Sequence, residues 1–264
     1  MLSKELILKQ INTEYCGKNV VYLDETDSTN EYAKKIAKES ASGTLVVADC
    51  QKNGKGRLGR SWTSPAGTCI YMSLILKEKV EPVKCPMVTL IAAMSVFETI
   101  REELTDVKIK WPNDIVVGGK KITGILTEMK SDSRETEYMI PGIGINVNND
   151  EFAPEITASA TSMKREAGKH FDRSIVIGKV MKYFEKYYDE FLKKGDLSFM
   201  REIYNDNLVN RDNEVNIISG EKSYRAIALG IDDTGALLVK KQDTGEVMTV
   251  ISGEVSVRGV YGYV

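Results

Sequence analysis

The sequence has few residues of the kinds that hold metals or form covalent cross-links. Its 264 residues include four cysteines, none of them in a Cys-x-x-Cys pair, and a single histidine, His170. Zinc sites need several such ligands at close spacing, and disulfide-rich domains need more cysteines per residue. We therefore expect reduced, mostly buried thiols and no metal site built from protein ligands.

Excess charge and long apolar runs are also missing. The 36 basic and 38 acidic residues leave a net charge of -2, and the pI is near 5.7. This excludes the overall basic field that drives non-specific nucleic-acid binding, so any cationic patch must be local. Residues 1–6 lack the apolar core of a signal peptide, and no apolar run reaches the roughly 20 residues that span a bilayer. We expect a cytoplasmic protein with no membrane or DNA partner.

The periodicity of apolar residues predicts two domains. Up to residue 211, short strands alternate with helices, and from residue 212 five short strands follow one another between glycine turns. The fold expected is α/β (α+β): a mixed sheet with helices in residues 1–211, and a small all-β barrel in residues 212–264 packed directly on it. The predicted strands lie at 20–23, 45–48, 69–76, 115–117, 122–129 and 138–145, the helices at 29–39, 88–104, 174–194 and 197–205.

What the sequence does contain is a loop rich in glycine and positive charge, between the second and third predicted strands. It reads Gly54-Lys55-Gly56-Arg57-Leu58-Gly59-Arg60-Ser61-Trp62. Glycines allow close approach of the backbone, the three cations can donate to anionic oxygens, and the indole offers a face for stacking. The combination predicts a nucleotide site.

Two familiar phosphate motifs nearly match this loop. The spacing of its glycines fits the dinucleotide fingerprint, and the string from Gly54 to Ser61 fits a P-loop with Arg60 in place of lysine. Both motifs need a helix directly afterwards, and Pro65 and Gly67 argue against one. A solvated basic loop or a nucleic-acid contact explains the loop alone equally well.

Three other motifs have both a structural and a functional interpretation. Ser28 and Glu31 have the spacing of a helix capping box, and they could equally belong to a ligand site. Taken alone, residues 110–114 are better explained as a surface lysine, a core tryptophan and turn formers. Asn146 could simply end a strand, and Gln51 has no signature of its own.

Taken in order, these segments resemble one family across nearly the whole chain, the biotin protein ligases, also called biotin–acetyl-CoA-carboxylase ligases. The family's loop usually reads Gly-Arg-Gly-Arg-x-Gly-Arg, so Lys55 keeps the charge of an arginine but loses its bidentate geometry. The resemblance rests on Asp27-Ser28-Thr29-Asn30, the loop from Gln51 to Trp62, Lys110-Trp111-Pro112-Asn113-Asp114, Lys121-x-x-Gly124-Ile125-Leu126-x-Glu128, Gly142-Ile143-Gly144-Ile145-Asn146, Ala160-Thr161-Ser162 and the terminal β-domain.

The resemblance implies a two-step reaction. Biotin and ATP, with Mg²⁺, give biotinyl-5′-AMP and pyrophosphate, and a lysine of a biotin carboxyl carrier protein then takes the biotinyl group. Lys110 is implied as the main catalytic group, between the biotin carboxylate and the α-phosphate, with Arg57 second. The glycine loop is expected to close over biotin only when biotin is bound.

The same resemblance implies the binding residues. The expected biotin site is Ser28, Thr29, Asn30, Gln51, Lys55, Gly56, Arg57, Lys110 and Gly124. The expected ATP site is Gly54, Arg57, Arg60, Trp62, Lys110, Asn113, Lys121 and Asn146. No protein metal ligand is expected, since ATP phosphates can carry Mg²⁺.

Some alternatives stay open at this point. Lipoate or octanoate ligases and transferases share the implied catalytic fold, and a nucleic-acid-binding module using the basic loop belongs to a different class. Ser28 comes too early for the N-terminal helix-turn-helix domain of many family members, so a form without it is expected. A homodimer is a further expectation from the resemblance.

Overall fold

The computed structural model describes residues 2–219, 222–252 and 255–259. It contains a seven-stranded mixed sheet with helices on both faces and a five-stranded antiparallel sheet. The predicted fold class, a mixed α/β part followed by a small all-β part, is confirmed. The boundary at residues 211 and 212 stays a prediction, and residues 260–264 of the predicted second domain lie outside the described residues.

The bounds of the elements follow the sequence pattern closely. The helices are α1 (Lys4–Gln10), α2 (Thr29–Ile36), α3 (Cys85–Arg101), α4 (Met163–Ala167), α5 (Arg173–Lys194) and α6 (Arg201–Asp206). The strands of the mixed sheet are β1 (Val20–Thr26), β2 (Thr44–Gln51), β3 (Ile70–Ile75), β4 (Val107–Lys110), β5 (Asp114–Val117), β6 (Lys120–Ser131) and β7 (Thr136–Ile145). The second sheet consists of β8 (Glu214–Ser219), β9 (Lys222–Ile231), β10 (Leu237–Lys241), β11 (Val247–Val250) and β12 (Val255–Gly259).

The mixed sheet separates two apolar layers. Its strand order is β1-β2-β3-β7-β6-β5-β4, and β1 and β2 are parallel while the other neighbours are antiparallel. In β2, Leu45 and Val47 pack in the large core with α3 and α5, whereas Val46 packs with Ala33 of α2 on the opposite face. This alternation is what a strand buried on both faces requires.

Helix α3 is the central helix of the large core. Nearly all its residues from Cys85 to Ile100 are buried. The stretch Pro82–Arg101, with a mean hydropathy of 1.5, is long and apolar enough to cross a membrane by length and composition, contrary to the expectation from the sequence. Because 83% of it is buried inside the protein, packing in the core accounts for its apolar character.

Short helices were harder to predict than long ones. Helix α1 has seven residues and buries only Ile7, so it gives no periodic apolar pattern. Ser3 caps it, because its Oγ accepts the Leu6 N–H, one of the first-turn donors that have no acceptor within the helix. Helix α4 is five residues long. Helix α6 begins at Arg201 rather than at residue 197. Leu197 lies in a turn before the helix, and its N–H donates to the Asp233 carbonyl oxygen.

The two sheets share one core. Apolar residues of the second sheet, among them Val215, Leu237 and Val239, belong to the same cluster as those of α3 and α5. Residues 207–209 also run beside β4, where Ile109 N–H donates to Asn207 O and Val209 N–H donates to Ile109 O, both at 2.9 Å. The chain between the sheets is thus part of the packed structure.

Candidate functional site

One cavity lies where the start of α2 meets strands of the mixed sheet and two of the loops between them. We call this the first cavity. Its wall combines the start of α2, the end of β2, the glycine loop (residues 54–62), the turn after β4 and the centres of β6 and β7. The lining residues are Ser28, Thr29, Asn30, Gln51, Lys55, Gly56, Arg57, Trp62, Tyr71, Asn113, Lys121, Gly124, Ile125, Leu126, Gly142, Ile143 and Gly144.

Polar groups hold the floor of the first cavity in place. Gln51 Oε1 accepts from the Thr29 backbone N–H at 2.9 Å, and Gln51 Nε2 donates to Ser64 Oγ at 2.9 Å. The Ser73 hydroxyl donates to Asn30 Oδ1 at 2.6 Å and lies 2.7 Å from Thr29 Oγ1. These side chains are neutral, so the floor suits an uncharged polar ligand group.

The capping box at the start of α2 is not formed. Ser28 is the N-cap residue, but its side chain makes no capping hydrogen bond. Glu31 instead accepts from Lys55 at 2.7 Å and from Lys34 at 3.0 Å. These two hydrogen bonds, that of Lys55 first, lower the pKa of Glu31 to about 2. Glu31 therefore fastens the glycine loop to α2, and Ser28 lines the cavity.

Strand glycines make room for two side chains on one face of the sheet. Gly124 and Gly144 are cross-strand neighbours, and a Cβ on either would come within 2.8 Å of the Trp62 ring. Two residues before Gly144, Gly142 leaves the space that the Asn30 amide fills. Glycine within a strand typically marks such a close approach. Trp62 thus lies flat against the sheet at the wall of the cavity.

Two cations of the site are held by the residues that follow β4. Arg57 Nη1 donates to Asn113 Oδ1 at 3.0 Å, and Asn113 Nδ2 donates to Ile125 O at 3.0 Å. Lys121 Nζ lies 2.6 Å from Asp114 Oδ1 and 5.4 Å from the centre of the Trp62 ring. Burial lowers the pKa of the Arg57 guanidinium and the Asp114 carboxylate opposes this, so Arg57 stays charged at neutral pH.

A second cavity adjoins the first at Trp62 and Lys121, which line both. Its wall is more apolar and includes Phe152 and Ile156. Asn146 lies at this wall, and its Nδ2 donates to Thr161 O at 3.0 Å. The complete lining is Arg60, Ser61, Trp62, Thr63, Pro65, Cys69, Lys121, Asn146, Asn149, Glu151, Phe152, Ala153, Glu155, Ile156, Ser159 and Ala160.

The structure brings together most of the residues singled out from the sequence. Eight of those expected to bind biotin line the first cavity, namely Ser28, Thr29, Asn30, Gln51, Lys55, Gly56, Arg57 and Gly124. Of those expected to bind ATP, Arg57 and Asn113 line the first cavity, Arg60 and Asn146 the second, and Trp62 and Lys121 both.

Lys110 and Gly54 line neither of these two cavities. Lys110 ends β4, is 5% exposed, and pairs in register with Asp114. Gly54 accepts the Trp62 N–H through its carbonyl at 2.8 Å, so its place is in the folding of the loop. Lys121 is the cation that lines both cavities. The role of Lys110 as the main catalytic group stays a prediction.

Several residues of the site escaped the sequence analysis. Ser73 lies in an otherwise apolar strand, and that isolated hydroxyl was a usable signal for a polar contact. Glu128 lies in a motif that carries the resemblance, but no role for it follows from the sequence alone. It accepts from Asn30 Nδ2 at 2.8 Å and pairs with Lys34 at 2.5 Å, which connects the cavity floor to the Glu31–Lys55 pair. Nothing in the spacing of Phe152 and Ile156 indicated the second cavity.

The donor set does not fit a metal held by protein side chains. No group of three or more His, Cys, Asp or Glu side chains that could hold a metal occurs in the described residues. The carboxylate nearest the cations, Asp114, is paired with Lys121. Mg²⁺ takes about six oxygen ligands and is often carried by nucleotide phosphates, so a metal would enter this site with the nucleotide.

Two family models match the chain. Residues 22–146 match the biotin/lipoate A/B protein ligase family, and residues 212–258 match the biotin protein ligase C-terminal domain. The first match spans β1 to the end of β7, and so includes every segment of the first cavity. The second covers most of the five-stranded sheet.

Relatives and solved structures agree with these matches. The bifunctional ligase/repressor BirA of Bacillus subtilis is 38% identical over 92% of this chain and 75% of its own length. BirA of Escherichia coli is 30% identical over 95% of this chain and 77% of its own. The biotin protein ligase of Aquifex aeolicus in complex with biotin and ATP superposes with a TM-score of 0.79 at 33% identity, covering 92% of this chain and 99% of that one. Given this identity over almost all of its length, the chain belongs to the biotin protein ligase family.

Proposed function

We propose that this protein is an ATP-dependent biotin protein ligase. It activates biotin with ATP to biotinyl-5′-AMP and transfers the biotinyl group to a lysine of a biotin carboxyl carrier protein. The observation that carries the proposal is a cavity with a neutral polar floor and a cationic wall, joined to a more apolar cavity at Trp62 and Lys121. The relatives support biotin as the substrate and give no support to lipoate, octanoate or nucleic acid.

In the first step a biotin carboxylate oxygen attacks the α-phosphorus of ATP. The new C–O–P link forms as the bond to the β-phosphate oxygen breaks, and pyrophosphate leaves. Two anions must approach each other, so catalysis depends on positive charge placed where the phosphoryl oxygens gain charge. Lys121 is the cation at the shared wall, Arg57 lines the first cavity, and Arg60 lines the nucleotide side.

Biotin fits the first cavity by its chemistry. Its ureido ring is uncharged and both donates and accepts hydrogen bonds, as do Ser28, Thr29, Asn30 and Gln51 on the floor. Its carboxylate would then point towards Arg57 and Lys121, with Gly56 and Gly124 allowing close approach. Lys55, fastened to Glu31, holds the glycine loop over the ring.

The nucleotide fits the second cavity. Trp62 offers the indole face to adenine. Asn146 donates through Nδ2 to Thr161 O, and its Oδ1, which accepts weakly from Cys69 Sγ at 3.9 Å, has a second lone pair that can accept from the adenine amino group. Asn113 acts on this region by holding Arg57, and Gly54 acts on it through the backbone of the glycine loop. Mg²⁺ would accompany the phosphates and add to the positive charge there.

In the second step the neutral amine of the acceptor lysine attacks the biotinyl carbonyl. An amide bond forms, AMP leaves and one proton is released. A relative from Paracoccus denitrificans is named biotin–[acetyl-CoA-carboxylase] ligase, which supports a carboxyl carrier protein as acceptor. A cytoplasmic location and a homodimer remain predictions.

The first test compares the two lysines. Pyrophosphate release from MgATP is measured with biotin, with lipoate and with neither, and intact mass is recorded for a biotin carrier domain incubated with the same mixtures. We expect biotin-dependent release and the addition of one biotinyl group. Lys121→Ala should lower the rate by about 10²–10³, as loss of one electrostatic contact to the transition state does.

Lys110→Ala is the variant to compare with Lys121→Ala, because Lys110 is the main catalytic group expected from the resemblance. A much larger loss of rate in Lys110→Ala than in Lys121→Ala would support that expectation. Release with lipoate but not with biotin would replace the proposed substrate. Absence of release with either acid in the wild type would defeat the proposed function altogether.

A further inference from the structure

Two cations of the first cavity, Arg57 and Lys121, depend on one short turn. Asn113 lies in the turn that joins β4 to β5, and Asp114 is the first residue of β5. Asn113 accepts from Arg57 at 3.0 Å, and Asp114 holds Lys121 at 2.6 Å. Any displacement of this turn therefore moves Arg57 and Lys121 together.

Groups from distant parts of the sequence hold this turn in place. Trp111, at the start of the turn, donates its backbone N–H to Asn210 Oδ1 at 3.1 Å and its indole N–H to Gly235 O at 3.0 Å. Trp111 and Asn210 are each 1% exposed, so these hydrogen bonds form away from water. Gly235 lies in the connection between β9 and β10, where its φ of +78° and its contacts with Leu90 and Leu197 leave no room for a side chain.

We infer that Asn210 and the Trp111 indole are positioning residues for biotin activation, through which the segment before β8 and the β9–β10 connection set the places of Arg57 and Lys121. Neither residue lines either cavity, so neither contacts biotin or nucleotide. Their influence passes through Asn113 and Asp114. This inference rests on the proposed function and goes beyond it, because it assigns a positioning role to two residues that line neither cavity.

A role in positioning predicts a different kinetic effect from a role in binding. Asn210→Leu and Trp111→Phe each remove one hydrogen bond to the turn and leave the floor of the first cavity unchanged. We expect the kcat of biotin-dependent ATP–pyrophosphate exchange to fall about tenfold or more, since small displacements of catalytic groups cost up to about a hundredfold. The KM for biotin should stay within about twofold of wild type, because the contacts that bind biotin equally well in the ground state and the transition state are unchanged. Asn210→Asp, which keeps an oxygen acceptor for the Trp111 N–H, should restore most of the rate.

Asn205 provides the matched control. It also ties the first part of the chain to the second sheet, since its Nδ2 donates to Ile231 O at 3.1 Å and its Oδ1 accepts from Ile231 N–H at 2.7 Å, but it does not touch the turn. Asn205→Leu should lower thermal stability while leaving kcat near wild type. Equal losses of kcat in Asn205→Leu and Asn210→Leu would show general loosening and overturn the inference.

Coupling to Asp114 gives a second criterion, which also covers the case in which Asn210→Leu fails to fold. If the hydrogen bonds of Trp111 act through the turn, the effects of Trp111→Phe and Asp114→Asn on kcat should be strongly non-additive, because both substitutions act on Lys121. Additive effects, or an unchanged kcat in a folded Trp111→Phe protein, would refute the inference. An inactive wild type would instead count against the proposed function itself.

Discussion

Single ion pairs decide where the glycine loop rests. Lys55 is the loop residue that departs from the arginine usual in the family, and it reaches Glu31 on α2 at 2.7 Å. Glu31 also holds Lys34, which reaches Glu128 and through it the amide of Asn30. A continuous line of polar contacts thus connects the loop with the floor of the first cavity.

The Glu31 carboxylate should stabilise the protein in a pH-dependent way. Its pKa is lowered from 4.5 to about 2 by hydrogen bonds from Lys55 and Lys34. A depressed folded-state pKa contributes stability above the unfolded value and loses it as the pH falls through the folded one. We therefore expect Glu31→Gln to lower the unfolding free energy by about 0.2–1 kcal/mol, as exposed pairs do. The difference from wild type should be constant above about pH 5 and shrink between pH 4.5 and 2.

The measurement is urea unfolding of wild type and Glu31→Gln across this pH range. Glu137→Gln is the control, because Glu137 also lies in an exposed pair, with Lys130, but far from the loop. Only Glu31→Gln should also raise the KM for biotin, by about two- to fivefold for a loss of this size. An equal rise of the KM for biotin in Glu137→Gln would show that Glu31 does not affect biotin binding through the loop.

At the level of single residues, the sequence indicates a physical use for glycine in the loop but not for glycine in the strands. Gly142, Gly144 and Gly124 leave the space that Asn30 and Trp62 fill, which only the paired strands reveal. The two lysines show a similar limit. Lys110 and Lys121 both lie in motifs that carry the resemblance, and the sequence alone does not show that Lys121 lines both cavities.

At the scale of elements, α5 shows how one helix fastens a loop of the chain. The Glu185 carboxylate, on the buried side of α5, accepts the backbone N–H groups of Glu14 (2.7 Å), Tyr15 (2.9 Å) and Cys16 (2.9 Å). These N–H groups precede β1 and have no strand partner to satisfy them. A charged acceptor suits them because it forms stronger hydrogen bonds than a neutral one.

Glu185→Gln should therefore lower the stability of the protein, although glutamine has nearly the same shape as glutamate. The amide keeps one acceptor oxygen and turns an N–H group towards backbone donors, which leaves buried N–H groups unsatisfied. We expect a loss of about 2–4 kcal/mol in the unfolding free energy, measured with urea. Glu190→Gln on the same helix, where Glu190 pairs with the exposed Lys193, should change it by no more than about 0.5 kcal/mol. Similar losses in both variants would contradict this account of the N–H groups at residues 14–16.

Elements with long periodic patterns could be predicted from sequence, and short ones could not. Helices α3 and α5 were predicted close to their observed bounds, and the five strands expected after residue 212 are present. Helices α1 and α4 were missed because seven and five residues carry too little periodicity. The capping box at Ser28 failed for another reason: Glu31 finds Lys55 and Lys34, partners that only the tertiary fold brings near.

At the scale of the whole molecule, the two sheets form one packed body. The sequence predicted a change of pattern at residue 212 and direct packing of the two parts, but not the contacts that join them. Those contacts include Trp111 with Gly235 and Asn205 with Ile231, which link residues far apart in sequence. One apolar cluster includes Val215 and Leu237 together with the residues of α3.

A shared core predicts a single cooperative unfolding transition. If the second sheet unfolded first, it would expose Trp111, Leu90 and Leu197 and leave the N–H groups of Trp111 without their acceptors, so neither part should persist alone. The test uses Trp62→Phe, in which Trp111 is the sole tryptophan, since the chain has only two. Thermal unfolding followed by Trp111 fluorescence, which reports on the contact between the sheets, should coincide with far-UV circular dichroism, and calorimetric and van't Hoff enthalpies should agree. A fluorescence transition at lower temperature than the loss of helical signal would mean that the two parts unfold separately and that the contact at Trp111 is weaker than its geometry indicates.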